Sequence, residues 1–166
     1  MTSAILARQC GIGNYEWIHC SDTPDVTDNS NASAGLCVGD GERLASAVLD
    51  GSQLILLLPA ETVSVKSVHF EDHERKLLRQ TIPYTLEDES IDDIESLHFA
   101  FGPAVENQVP VAITKRSEFA NIVKELSADD IEVRQISSEL LYLPLRDQAW
   151  TILVEGDRWL LRYSQY

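Results

Sequence analysis

Four histidines, three cysteines and a dense run of carboxylates are the residues of this chain that could do chemistry. His19 and Cys20 supply a base and a nucleophile side by side, the pair a cysteine hydrolase needs within hydrogen-bond reach. They sit in a short apolar stretch, Tyr15 to His19, and neighbours on a strand point to opposite faces. An ordinary strand end is therefore the expectation there. No Gly-x-Ser-x-Gly elbow occurs around any serine. His69 and His73, spaced i, i+4 with Glu71 and Asp72 between them, could hold a divalent ion from one helix face. However, the preceding strand runs to Phe70, so the two histidines straddle a strand–helix junction. No cysteine pair and no His-Glu-x-x-His accompanies them. The carboxylates are better explained as an acidic first helical turn, favourable to the helix dipole.

Phosphate chemistry needs backbone amides presented by glycine-rich turns. Neither Gly-x-x-x-x-Gly-Lys nor Gly-x-Gly-x-x-Gly is present. Cys10-Gly11-Ile12-Gly13 and Glu155-Gly156-Asp157 read instead as hairpin turns. Such paired turns hold phosphates only in an actin-like fold, whose first turn carries an aspartate for the metal. Cys10 and Asn14 stand here in its place, with no carboxylate to hold Mg²⁺. The sequence therefore implies no catalytic residue, cofactor or metal.

The remaining candidate is a surface. Glu87, Asp88, Glu89, Asp92, Asp93 and Glu95 place six carboxylates within nine residues. Ile91, Ile94 and Leu97 interleave them, so part of the stretch should dock on the core. The run is either a solvated face or a docking surface for a basic partner, where charge would raise the association rate more than the affinity.

The elements that must position these residues follow from the apolar pattern. Ala4 to Arg8 and Tyr15 to His19 predict a hairpin. Residues 21–35 carry Val26 as their single large apolar side chain and predict a mobile loop. Asp40 to Asp50 predicts a short helix stopped by Gly51. Gln53 to Leu58 is a continuous apolar strand, buried on both faces and closed by Pro59. Thr62 to Val68 alternates and predicts a strand with one buried face. A helix follows from about Asp72 to Asp88, kinked or ended by Pro83. Leu97 to Phe101 and Val109 to Thr114 are strands. Phe119, Ile122, Val123 and Leu126 mark an amphipathic helix, and Ile131 to Ile136 a strand. The run from 109 to 136 predicts one right-handed parallel crossover. Trp150 to Val154 and Arg158 to Tyr163 predict a final hairpin. The expected core is Leu56, Leu58, Val65, Leu78, Ile82, Phe99, Ile113, Phe119, Ile122 and Leu126.

Composition bounds the function. The chain has 166 residues, 44% apolar and 24% charged, which suits a folded domain with a real core. Thirteen Lys and Arg against 27 Asp and Glu give a net charge of −14. That balance disfavours nucleic acid and anionic membrane surfaces as partners. An odd cysteine count at wide spacing argues for a reducing compartment. The longest apolar run, Leu54 to Leu58, is far too short to span a membrane.

The ordered elements from Leu54 to Gly102 carry a resemblance. They read Leu-Ile-Leu-Leu-Leu-Pro-Ala-Glu, an alternating strand, then Arg75-Lys76-Leu77-Leu78-Arg79-Gln80-Thr81-Ile82-Pro83-Tyr84. Leu86-Glu87-Asp88-Glu89, Ile91 to Glu95 and Leu97-His98-Phe99-Ala100-Phe101-Gly102 complete them. This resembles the cytoplasmic domain of the general secretion pathway protein L family, the inner-membrane L component of bacterial type II secretion. Val109 to Ile113, Trp150 to Leu153 and Arg158 to Arg162 extend the resemblance, which covers roughly residues 42–166.

The resemblance implies an α/β fold with a mixed sheet and flanking helices, an actin-like, ribonuclease H-like subdomain incomplete at its C-terminal side. Residues 1–145 would form the first subdomain and residues 146–166 a hairpin opening the second. It implies a non-catalytic scaffold that binds the N-terminal domain of the secretion ATPase, the E component. Parts beyond this chain would span the inner membrane and reach the M component and the pseudopilus machinery. The expected location is the cytoplasmic face of that membrane. An exposed edge on the final hairpin invites pairing with a second copy as a homodimer. The partner surface is expected at Glu87, Asp88, Glu89, Asp92, Asp93 and Glu95. Two other classes compete: a divergent actin-like nucleotide-binding enzyme, and an acidic interaction module unrelated to secretion.

Overall fold

Apolar alternation at the start of the chain folds into the predicted hairpin. In the computed structural model, which describes residues 4–20, 35–48 and 52–163, strands β1 (Ala4–Gly11) and β2 (Asn14–Cys20) pair antiparallel. Ile12-Gly13 forms the turn, and Gly13 takes φ +66°, the left-handed conformation that a glycine adopts without a Cβ penalty. Strand β3 (Cys37–Asp40) adds to β2, and helix α1 (Gly41–Val48) follows directly. Asp40 caps that helix: its Oδ1 accepts from the Arg43 N–H at 3.1 Å. The expected mobile loop lies outside the described residues except for Gly35, as does Gly51.

Strand β4 (Gln53–Leu58) pairs parallel with β1 on one side and with β8 (Val133–Ser138) on the other. The sheet order is β3-β2-β1-β4-β8, with β2 alone running against the others. Ile5, Ala7, Tyr15, Trp17, Leu54, Leu56 and Leu58 fall on one face by register, and all are buried. Leu57, on the other face, is buried too, as a central strand covered on both sides requires. Strands β9 (Trp150–Glu155) and β10 (Arg158–Tyr163) form the predicted final hairpin as a separate two-stranded sheet. These elements belong to one compact unit, residues 1–60 and 124–166.

Residues 61–123 form a second unit. Its sheet has the order β5-β7-β6, from β5 (Ser64–His69), β6 (Leu97–Phe101) and β7 (Gln108–Lys115), all antiparallel. Val68, Phe70, Val109 and Val111 form its buried core with Ile82 of helix α2 (Leu78–Thr85) and Leu86.

Three expectations need correction. The helix over 72–88 is three pieces: a 3-10 turn at Asp72–Glu74, α2, and a 3-10 turn at Glu87–Glu89. Glu71 to Lys76 contains no apolar residue to dock a helical face, so regular helix starts only at Leu78. Pro83 lacks the N–H that would bond back to Arg79, and the helix stops two residues later. Second, 109–136 is not a single-sheet crossover. Strand β7 belongs to the three-stranded sheet and β8 to the five-stranded one, with helix α3 (Arg116–Ala128) between them. The parallel partner of β8 is β4, and the whole second unit lies between the two in sequence.

Third, only half of the expected core is fully buried. Leu56, Leu58, Ile82, Ile122 and Leu126 are; Val65, Leu78, Phe99, Ile113 and Phe119 are half-buried. The alternation that includes Val63 and Val65 falls out of phase at Val68. The core uses Val68, so Val65 points to the opposite face, beside Ala112. Leu78, Phe99 and Ile113 form the rim of the Val68 cluster. Phe119 stacks on His98 with ring centroids 4.3 Å apart. Val123, on the same predicted stripe, is exposed.

Candidate functional site

Side chains in the middle of the first hairpin meet the last hairpin beside its glycine turn. Arg8 and Glu16 stand directly opposite each other on β1 and β2, and Arg8 Nη2 donates to Glu16 Oε2 at 2.7 Å. The other arm of the same guanidinium donates to Glu155 Oε2 at 2.6 Å, a contact between residues 147 apart in sequence. Glu155 and Arg158 are opposite each other around Gly156-Asp157, where Gly156 takes φ +57°. Arg158 Nη1 donates to Glu155 at 3.3 Å and to Glu139 Oε2 at 3.1 Å, while its Nη2 donates to Glu139 Oε1. Glu139, only 5% exposed, also accepts the Ala60 N–H at 2.6 Å.

Electrostatics follow from these contacts. The hydrogen bond from Arg8, helped by Arg158, holds the Glu155 carboxyl below the usual range. Glu155 in turn raises the Arg8 guanidinium further above its already high value. Burial, followed by the charge of Glu16, pushes the Cys10 thiol up, away from a reactive thiolate. Three carboxylates thus surround two guanidiniums, and the guanidiniums' donors are directed at carboxylates rather than at open space. The cluster can clamp the final hairpin onto the first sheet.

The acidic segment is not one uniform surface. Glu89 Oε2 bonds Lys66 Nζ at 2.6 Å, and Asp92 Oδ2 lies 3.7 Å from Lys115 Nζ. Asp93 spends its carboxylate as a cap, accepting the Glu95 N–H at 3.0 Å, and its carbonyl accepts from the Ser96 hydroxyl at 2.6 Å. Glu87, Asp88 and Glu95 are exposed. Ile94 is half-buried, as interleaving predicts, but Ile91 is fully exposed among the carboxylates. A groove of about 410 Å³ runs beside them, lined in part by Lys66, Lys115, Phe99 and Ile113.

The other candidates stay apart. His19 is exposed and Cys20 half-buried on β2, on alternate faces. His69 and His73 are exposed, and His73 Nδ1 lies 3.3 Å from Glu71 Oε2. Among the described residues, no group of three or more His, Cys, Asp or Glu side chains is placed to hold a metal ion. Asn14, in the first turn, donates from Nδ2 to the Ile12 carbonyl at 3.1 Å.

Sequence reasoning missed the Arg8, Glu16, Glu139, Glu155 and Arg158 cluster. A two-residue turn at Ile12-Gly13 would set Arg8 opposite Trp17; the register shift between Gln9 and Gly11, which the apolar pattern does not announce, moves it opposite Glu16. Glu139 carried no local signal; only the tertiary fold brings it to Arg158.

A sheet of order β3-β2-β1-β4-β8 with one reversed strand and accompanying helices defines the expected mixed α/β class of protein. The family "Type II secretion system (T2SS), protein L" matches residues 42–166. The chain belongs to that family. The type II secretion system protein L of Dickeya chrysanthemi is 26% identical over 107 residues, covering 64% of this chain and 27% of that protein. The protein of the same name from Vibrio cholerae serotype O1 is 27% identical over 115 residues, covering 69% of this chain and 28% of that one. The chain therefore spans little more than a quarter of these curated relatives. Among solved structures, it shares its fold with the cytoplasmic domain of EpsL, an inner membrane component of the type II secretion system of Vibrio cholerae. The TM-score is 0.75 at 21% identity, covering 98% of this chain and 68% of that one. No helix among the described residues is long and apolar enough to cross a membrane.

Proposed function

We propose that this chain is a non-catalytic scaffold of type II secretion that binds the N-terminal domain of the secretion ATPase. In this role it works at the cytoplasmic face of the inner membrane. Further parts of the protein would connect it to the M component and the pseudopilus machinery. Residues 146–166 would open the second actin-like subdomain. The observation that carries the proposal is the family match over residues 42–166. In keeping with it, Glu155 beside the second glycine turn and the buried Glu139 hold Arg8 and Arg158, so both guanidiniums already have carboxylate partners.

Partner binding is assigned to Glu87, Asp88, Glu89, Asp92, Asp93 and Glu95. Glu87, Asp88 and Glu95 offer their charge directly. Glu89 and Asp92 would have to exchange Lys66 and Lys115 for partner cations. Exposed Ile91 supplies an apolar contact within the charged rim.

Calorimetric titration with the ATPase N-terminal domain at low and high salt tests this, with ATP–Mg²⁺ as a parallel ligand. Saturable protein binding that weakens with salt, without nucleotide binding, is expected. Binding untouched by Asp92→Lys and Asp93→Lys at both salt levels would remove the acidic segment from the interface. Nucleotide binding without protein binding would replace the scaffold by a divergent actin-like enzyme.

A further inference from the structure

Two hollows lie end to end in the second unit, between helix α2 and the edge strand β6. Arg75, Lys76 and Arg79 line the first, of about 350 Å³, with Phe101. Arg79 continues into the second, of about 500 Å³, which Tyr84, Phe99 and Arg116 also line. The four basic side chains are exposed, and the Arg79 guanidinium lies over the Phe101 ring at 5.9 Å. Glu95 is the one carboxylate among the lining residues. The ion pairs of this unit among the described residues are Lys66–Glu89, Lys115–Asp92 and His73–Glu71, so the four cations keep their charge for a ligand. A chain of net charge −14 thus carries a positive groove.

The strand beside that groove has main-chain groups to offer. Gly102 N–H donates to the Pro110 carbonyl at 2.8 Å, which sets the alternation along β6. His98, Ala100 and Gly102 turn their main-chain groups to β7, and Leu97, Phe99 and Phe101 turn theirs outward. Leu97 is satisfied: its N–H donates to the Ile94 carbonyl, and its own carbonyl accepts from Arg116 Nη2 at 3.3 Å. Phe99 and Phe101 each present an outward N–H and C=O, and among the described residues no strand pairs with that edge. Their side chains pack against the Val68 cluster, on the sheet face that α2 covers. All three strands of this sheet come from residues 64–115, well inside the chain.

We propose that an acidic polypeptide segment adds to β6 as a fourth strand and sets carboxylates in the two hollows. Added antiparallel, the residues opposite Phe99 and Phe101 bond to them through both main-chain groups. Those two residues stand about 7 Å apart and direct their side chains to the α2 face, one toward Arg79 and Arg116, the other toward Arg75, Lys76 and Arg79. The cations fix the sign of the ligand, and the unpaired edge fixes its class. An anionic lipid headgroup could meet the cations but would leave the edge unpaired. The site is opposite in charge to the acidic segment and does not depend on Asp92 or Asp93.

Fluorescence anisotropy with a labelled Ser-Glu-Val-Glu-Val-Glu-Ser peptide tests this, at about 0.05 M and 0.5 M salt. Three controls accompany it: the peptide with serine for each glutamate, the peptide N-methylated at its glutamates, and phosphatidylglycerol vesicles. Saturable binding that weakens with salt is expected, with loss of binding for both control peptides. Arg79→Glu and Lys76→Glu should each weaken it by about tenfold or more, and unchanged far-ultraviolet circular dichroism verifies that each variant is folded. Amide hydrogen exchange at Phe99 and Phe101 should slow in the bound chain, since both amides gain acceptors. No binding of the acidic peptide would overturn the proposal. So would equal binding of the serine peptide, which removes the cations, or of the N-methylated one, which removes the edge. Vesicle binding without peptide binding would replace the polypeptide by a lipid surface.

Discussion

Removing the Glu139 carboxylate should loosen the terminal hairpin and destabilise the whole first unit. Its Oε1 accepts the Ala60 N–H at the end of β4, and both oxygens engage Arg158 at the start of β10. Breaking a buried ion pair by deleting one partner costs about 3–5 kcal/mol. The Arg158 side chain is 29% exposed and can turn to Glu155 and water, so about 2–3 kcal/mol is the better figure here. Leaving the half-buried Ala60 N–H without its acceptor adds about 1 kcal/mol. Glu139→Ala should therefore cost about 3–4 kcal/mol. Glu139→Gln can still accept from Ala60 and should cost about half as much. With a urea dependence of about 2 kcal/mol per molar, Glu139→Ala moves the unfolding midpoint down by about 1.5–2 M. Urea titrations followed by tryptophan emission measure both variants, since Trp150 and Trp159 report on the hairpin and Trp17 on the sheet core. A Glu139→Ala midpoint within about 0.3 M of the parent would refute the reasoning, because the cluster would then be a solvated bystander.

Further outcomes follow from other contacts. An added Cβ at Gly41 would stand 1.8 Å from Asp129 Oδ2, so Gly41→Ala should destabilise by about 1–3 kcal/mol, and Asp129→Ala in the same chain should recover most of it in a denaturant titration. Glu155 titrates below its unfolded value, so its contribution is present above that value, about pH 4.3, and is lost as pH falls through the folded one. Thermal melts should therefore show the parent's advantage over Glu155→Gln persisting from neutral pH to about 5 and vanishing in stronger acid. Leu56→Ala, at a fully buried site in the central strand, should cost about 3–5 kcal/mol, while Val65→Ala on the less-buried face of β5 should cost about 1 kcal/mol or less by the same titration.

What the sequence determined by itself is local. Alternation and turn chemistry placed both hairpins, because a strand's period and a glycine turn are set by neighbours in the chain. The run Gln53 to Leu58 announced a central strand because a segment covered on both faces must be apolar throughout. The ordered elements from Leu54 onward also carried the family. Tertiary structure decided the rest. The phase break at Val68 selected one face of β5 as core and demoted Val65, a choice that strand periodicity leaves open until the Phe70–Ile82 cluster forms. Strand β8 joined β4, far away in sequence, instead of β7, since hydrogen-bond partners across a sheet are not encoded in either strand's pattern. The charge cluster lies wholly on that side of the division. Arg8, Glu139 and Glu155 are ordinary surface residue types spread over most of the chain, and only the packing of the final hairpin against the first sheet turns them into one partly buried, mutually neutralising group.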